Sequence, residues 1–281
     1  MTKIRNSWFV GSNSRKSAIT LYLNESSKKQ ALVVFVHGFK GFKDWGHFPM
    51  ICERIAEKGI AVLAFNFTHN GGTVNNPIDF PDLEAFSRNT YSKEVDDVGH
   101  VFNWIVAHQQ EYFDSVDLNN ISILGHSRGG SFALLASNRF PQIKKVVTWA
   151  AVADFEERLP SKEKLEKWEE SGVYVVKNGR TKQDMPMNFG FVEDLMAHVI
   201  ELKIENALRE LKKPILLIHG KEDEAVHYDD AKRIQQWNMS NILLGIEQCN
   251  HTFNGKHPWT EKELPKATMQ AIEATVEHLL C

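Results

Sequence analysis

Residues 119–136 read NNISILGHSRGGSFALLA, with one serine between two glycines at the end of an apolar run. Gly-x-Ser-x-Gly alone is too common in ordinary composition to decide anything, so its flanks must. Ile121, Ile123 and Leu124 predict a short β-branched strand, and beyond Gly129 the segment SFALLASNRF places Phe132, Leu135, Ala136 and Phe140 at helical spacing. Strand, tight turn and helix follow in that order. Such an elbow holds its central serine in a strained backbone conformation, and small residues two positions to either side let strand and helix approach. Gly125 and Gly129, with Gly130, supply that room. A plain turn serine is the weaker reading of Ser127.

Outward from the elbow, strands and helices alternate. SWFVG and AITLYL (18–23) read as edge strands, and ALVVFVHG (31–38) as a continuous apolar run of the kind buried on both faces of a parallel sheet. FPMICERIAEKG predicts a helix ending at Gly59, and IAVLAFNF (60–67) the next buried strand. A helix over 91–108, strands at 144–152, 213–220 and 241–247, and a closing helix in LPKATMQAIEATVEHLL complete the rhythm. The expectation is an α/β fold with a mixed but mainly parallel sheet, covered by helices on both faces.

Two segments interrupt the alternation. Residues 68–90 are too rich in Gly, Asn and Pro for regular structure and too long for a plain connection, which points to a functional loop. Residues 154–210 hold a charged helix (KEKLEKWEE), a hairpin in GVYVVKNGRTKQ turning at Asn178-Gly179, and an amphipathic helix in FVEDLMAHVIELKIENALREL. We read 154–210 as a cap inserted into a core formed by 1–153 and 211–281.

The 281 residues, 42% hydrophobic, suffice for one large core, and the formal charge of −3 is spread without long runs of one sign. That leaves no basic footprint for nucleic acid or an anionic membrane, so a small-molecule partner is expected. Met1 leads into the polar TKIRNS, and no apolar stretch approaches the ~20 residues that span a bilayer. A soluble, cytoplasmic protein is the expectation. Cys52, Cys249 and Cys281 are odd in number and scattered, without disulfide or metal-ligand spacing. The histidines form no tight metal pair, and GSNSRKS and HNGG lack the spacing of a phosphate or dinucleotide loop, so neither metal nor cofactor is expected.

A serine hydroxyl is a poor nucleophile at neutral pH unless a histidine takes its proton and a carboxylate fixes that histidine. ILLIHGKEDEAVHYDDA puts Asp223 just beyond one predicted strand, and EQCNHTFNGKHPW puts His251 just beyond the next. Both therefore fall at the carboxyl edge of the sheet, with Ser127. The chain order Ser, Asp, His is that of the α/β-hydrolases. Asp154, Glu222 and Glu224 are the competing acids, and His219, His227 and His257 the competing bases; surface or structural roles are the default for these histidines. His126 is expected to pack the elbow.

HGFKGF, GHSRGG, HGKEDEAV and NHTF, in this order, resemble the oxyanion loop, nucleophile elbow, acid loop and histidine loop of α/β-hydrolase-fold serine hydrolases. The chain is similar to the capped carboxylesterases related to dienelactone hydrolases, over most of its length. One oxyanion donor is expected from the backbone N–H of Arg128 at the start of its helix, and the resemblance assigns the second to Phe39; a plain strand-ending turn at His37-Gly38 is the alternative. The resemblance implies hydrolysis of a small-molecule carboxylic ester through an acyl-enzyme on Ser127. Amidase, peptidase or thioesterase chemistry would use the same residues, and a non-catalytic binding protein of the same fold is the contrasting class. Lyase, acyltransferase or cofactor-free peroxidase chemistry stays open. Phe42, Trp45 and Phe80, with Trp168, Tyr174, Met185, Met187 and Phe189 in the cap, suggest an apolar or aromatic pocket, packing of the cap being the other reading for each.

Overall fold

The computed structural model describes residues 2–25 and 29–281. Ten strands and ten α-helices are named here in chain order. The first half runs β1 (Thr2–Val10), β2 (Lys16–Asn24), β3 (Gln30–Val36), α1 (Phe48–Glu57), β4 (Ile60–Phe65), α2 (Leu83–Ser87), α3 (Tyr91–Ala107), α4 (Gln109–Tyr112), β5 (Val116–His126) and α5 (Arg128–Arg139). The second runs β6 (Ile143–Trp149), α6 (Lys162–Ser171), β7 (Val173–Lys177), β8 (Asp184–Asn188), α7 (Gly190–Ala197), α8 (Ile204–Glu210), β9 (Ile215–Gly220), α9 (Tyr228–Trp237), β10 (Ile242–Ile246) and α10 (Lys266–Leu280). Eight strands form one sheet in the order β1-β2-β4-β3-β5-β6-β9-β10, and β7 and β8 form a separate hairpin. β2 is antiparallel to both its neighbours, and from β4 to β10 every pair is parallel. This is the mainly parallel sheet that the alternation predicts and the α/β-hydrolase architecture that the resemblance implies.

Alternate residues of the central strands feed two cores, because successive side chains point to opposite faces. Val34, Leu63, Ile123 and Leu217 face α3, α5 and α8, whereas Phe35, Ala64, Leu124 and Ile218 face α1 and α10. β3 and β5 are neighbours, yet the chain leaves β3 toward β4 and returns to start β5 on β3's other side. Their carboxyl ends thus flank the point where strand order reverses, the place where open α/β sheets bind ligands.

Three expectations are corrected. AITLYL is not at an edge: β2 lies between β1 and β4, fully buried from Ser17 to Leu23, and only β1 closes that side. The amphipathic helix expected over 191–211 is two helices: α7 buries Phe191, Val192 and Leu195, while α8 buries Ile204, Ala207 and Leu208. A hairpin forms as β7 and β8, but its connection runs from Asn178 to Gln183, with Asn178 N–H bonded to Gln183 O at 3.0 Å, rather than turning at Asn178-Gly179 alone, and 68–90 is irregular apart from α2.

Candidate active site

β5 delivers Ser127 at φ 57°, ψ −129°, a conformation that L-residues resist. Two hydrogen bonds hold it there: Ser127 N–H donates to Trp149 O and Gly130 N–H to Ser127 O, both at 2.8 Å. The glycines are required by space. A Cβ on Gly125 would lie 2.1 Å from Gly129 O, and one on Gly129 would lie 2.4 Å from the carbonyl oxygens of Val36 and His37. Gly38, just beyond β3, is so close that its Cβ would meet Ser127 Cβ at 2.8 Å.

The structure brings the three expected side chains together. His251 Nε2 lies 2.9 Å from Ser127 Oγ, and His251 Nδ1 lies 2.8 Å from Asp223 Oδ2. With Nδ1–H donating to the carboxylate, Nε2 is left free to accept the serine proton. Asp223 is buried, and its Oδ1 accepts N–H bonds from Ala225 and Val226 at 2.9 Å. Burial alone would raise its pKa, but hydrogen bonds from His219 and His251 and from the Val226 amide outweigh it and hold the carboxyl far below the usual range. His219 Nε2–H is shared, 2.8 Å from Val226 O and 3.3 Å from Asp223 Oδ2. His126 Nε2–H donates to His251 O at 2.8 Å, tying the elbow to the histidine loop. Burial pushes His126 down to about 3, so its ring is a neutral donor.

The competing residues are engaged elsewhere. Asp154 pairs with Lys203 at 2.6 Å and accepts from Glu156 N–H at 2.8 Å. Glu222 and Glu224 are exposed, as is His227, and His257 Nδ1 accepts from Gly46 N–H at 2.6 Å. His37 does more than end a strand: its Nε2 accepts from Phe67 N–H at 3.2 Å, which leaves Nδ1–H to hold Gly38 O at 2.9 Å. The next amide, Phe39 N–H, and that of Arg128 have no acceptor among the described residues. Among the described residues no group of three His, Cys, Asp or Glu is placed to hold a metal ion.

A sequence profile of the dienelactone hydrolase family matches residues 19–280. The chain belongs to that family. No curated protein matches it significantly in sequence. The structure is similar to the esterase domain of a Rhodothermus marinus protein, at 21% identity over 98% of this chain and 97% of that one, with a TM-score of 0.67. It is also similar to Est1E of Butyrivibrio proteoclasticus with ferulic acid bound, at 19% identity over 98% and 100%, with a TM-score of 0.73. A puromycin hydrolase matches 99% of this chain with 39% of its own length, at 16% identity and a TM-score of 0.66. At such identities the likeness carries the fold. The chain is thus a hydrolase by family, and its specificity must be sought in its own cavities.

In this dienelactone hydrolase family member two cavities flank the Ser127–His251 pair, which lines both. One, of about 420 Å³, is walled by Phe42, Trp45, Phe48, Phe80 and His257. The other, of about 380 Å³, lies among Tyr91, Phe155, Trp168, Tyr174, Met187 and Phe191. Of the insertion residues singled out in the sequence, Trp168, Tyr174 and Met187 reach the cavity, whereas Met185 and Phe189 do not line it. Sequence reading missed Tyr91 and Phe191, which sit in the first turns of ordinary amphipathic helices, and Phe155, which precedes a short 3-10 turn. It also missed Glu94, 2.8 Å from the buried Arg128 guanidinium.

Proposed function

We propose that the chain is a serine hydrolase that cleaves carboxylic esters of small molecules. Ser127 Oγ attacks the acyl carbon while His251 Nε2 takes its proton, and Asp223 holds the imidazole and stabilises the charge it acquires. The amides of Phe39 and Arg128 receive the oxyanion. Collapse of the tetrahedral intermediate expels the alcohol, protonated by His251, and leaves an acyl-enzyme; water, deprotonated by the same histidine, then releases the acid. The observation that carries this reading is the unbroken Ser127–His251–Asp223 chain of 2.9 and 2.8 Å bonds, ending on a serine whose strained backbone exposes Oγ between two cavities. Those cavities give the acyl and alcohol halves of an ester separate apolar seats, and their aromatic walls favour planar or aromatic groups. Residues 154–210 act as the cap, with α8 returning the chain to the core. Cys52, Cys249 and Cys281 are free, which suits a reducing compartment and the cytoplasmic location read from the sequence.

Ser127→Ala should stay folded and lose both p-nitrophenyl ester turnover and fluorophosphonate labelling. Near wild-type turnover in the purified variant removes Ser127 from the mechanism. A panel of matched ester, thioester and anilide substrates should rank the ester first; preference for the anilide would make the enzyme an amidase. Turnover should survive EDTA, and loss restored by a divalent ion would transfer the chemistry to a metal.

A further inference from the structure

An oxyanion role for the Arg128 amide leaves its side chain unexplained. The guanidinium belongs to the first residue of α5, where the helix dipole disfavours a cation. It is buried: the Arg128 side chain is 8% exposed and that of Glu94 3%. Desolvation of two charges largely offsets their attraction, so apolar side chains would fill this space at less cost. The pair is also incompletely satisfied, since Arg128 Nε and Glu94 Oε2 have no hydrogen-bond partner.

What the pair does is visible in its contacts. Arg128 Nη2 donates to Glu94 Oε1 at 2.8 Å, and Asn89 Nδ2 donates to the same oxygen at 3.0 Å, so the guanidinium is anchored to α3. Its carbon then lies 4.4 Å from the ring centroid of Phe39. That ring also stacks on Phe86, their centroids 5.9 Å apart. Phe39 sits on a loop whose next residue, Lys40, has φ 52°, and the backbone bonds of that loop hold Gly38 and Gly41 rather than Phe39 itself. The two residues whose amides the proposed mechanism assigns to the oxyanion are therefore joined by their own side chains.

We propose that Glu94, the Arg128 guanidinium and the Phe39 ring form a clamp that sets the separation of the two oxyanion donors. Glu94 is then a positioning residue, acting on the reaction through Arg128. The inference rests on the serine-hydrolase reading above and adds a role for side chains which that reading leaves idle. Donors must lie within hydrogen-bond reach of the oxyanion's position, and a misplacement of about 1 Å can cost ~10²-fold in rate. Glu94 lines neither cavity, whereas Phe39 lines both and Arg128 the second; because the oxyanion exists only in the transition state, loosening the clamp should lower kcat by much more than it changes KM.

Glu94→Gln keeps the shape and removes the charge. With p-nitrophenyl acetate its kcat should fall ~10-fold or more while KM stays within about 3-fold of wild type. The inhibition constant of a trifluoromethyl ketone, whose hemiketal oxyanion occupies the donor site, should rise by the factor by which kcat/KM falls. A merely structural residue would lower Tm without moving those two together. Wild-type kcat and ketone affinity in folded Glu94→Gln overturn the clamp. Should Glu94→Gln fail to fold, the double variant Glu94→Leu/Arg128→Met replaces both charges by apolar groups and is expected to fold. The same paired loss is expected there, and wild-type values in it overturn the clamp equally. Ser127→Ala separates the two levels: if it is inactive while Glu94→Gln is unaffected, only the clamp fails, whereas an active Ser127→Ala sinks the underlying reading and the clamp with it.

Discussion

Ser127 holds a backbone conformation that costs on the order of 1–3 kcal/mol for an L-residue, sustained by bonds to β6 and α5. The same economy explains why the candidate site was readable: a serine on an elbow, an acid and a histidine each just past a buried strand are local signals, and the sheet brings strand ends together whatever the loops do. Glu94 carried no such signal. It lies 34 positions before Arg128 in the first turn of an amphipathic helix, where an acidic residue is ordinary, and only packing reveals its partner. The assignment of the acid is decided at this scale. Asp223→Asn would donate to the imidazole where a carboxylate accepts, favouring the wrong tautomer, so kcat should drop by ~10³–10⁴. Asp154→Asn breaks a contact with Lys203 remote from His251 and should keep kcat within about 3-fold. Steady-state kinetics of the two purified variants settle the order, and a larger loss for Asp154→Asn would move the acid role to it.

The elements of the insertion were legible where local chemistry marks them. Asn178-Gly179 announces a reversal of the chain, though not the six-residue length of its loop, and nothing in the stretch 198–203, HVIELK, marks the break between α7 and α8. That break lets α7 bring Phe191 to the cavity as well as to the core, while α8 packs Ile204 and Leu208 into the same core. β2 was misjudged for the opposite reason: its continuous apolar run already had the look of an interior strand. The cavity-lining pattern separates the insertion's aromatic residues into two groups. Alanine at Trp168, Tyr174, Met187 or Phe191 should, for at least one of them, change the kcat/KM ratio between short-chain and aromatic esters by ~10-fold, within the ~1–3 kcal/mol of a hydrophobic pocket contact. Phe189→Ala packs against the core without lining the cavity and should lower Tm at an unchanged ratio. If all four lining variants keep the wild-type ratio, selectivity belongs to the cavity of Phe42, Trp45 and Phe80 instead.

For the molecule as a whole, the histidines buried along the sheet's carboxyl edge and its neighbouring loops couple folding to acidity. Burial pushes His37, His47 and His69 down to about 4 and His126 to about 3, with nearby cations adding to the effect at His69. In the unfolded chain each ring returns to about 6.5, so between roughly pH 6.5 and 4 the unfolded state binds more protons and stability falls as pH falls. At pH 5 this amounts to about 2 kcal/mol per ring, and four rings together approach the whole stability of an ordinary domain. Glu94 and Asp97 work the other way, since burial raises their carboxyls and lets the folded state take protons first. The net uptake on unfolding should therefore be about two to four protons, read as the slope of unfolding free energy against pH in urea titrations from pH 7.5 to 5. His47 offers a test outside the candidate site: its Nε2 meets Thr268 Oγ1 at 3.1 Å and its buried Nδ1 has no partner. His47→Gln should flatten the slope by about one proton while leaving ester turnover near wild type. A slope of zero in the wild-type protein, or no change in the variant, would mean that these rings are hydrated enough to protonate in the folded state.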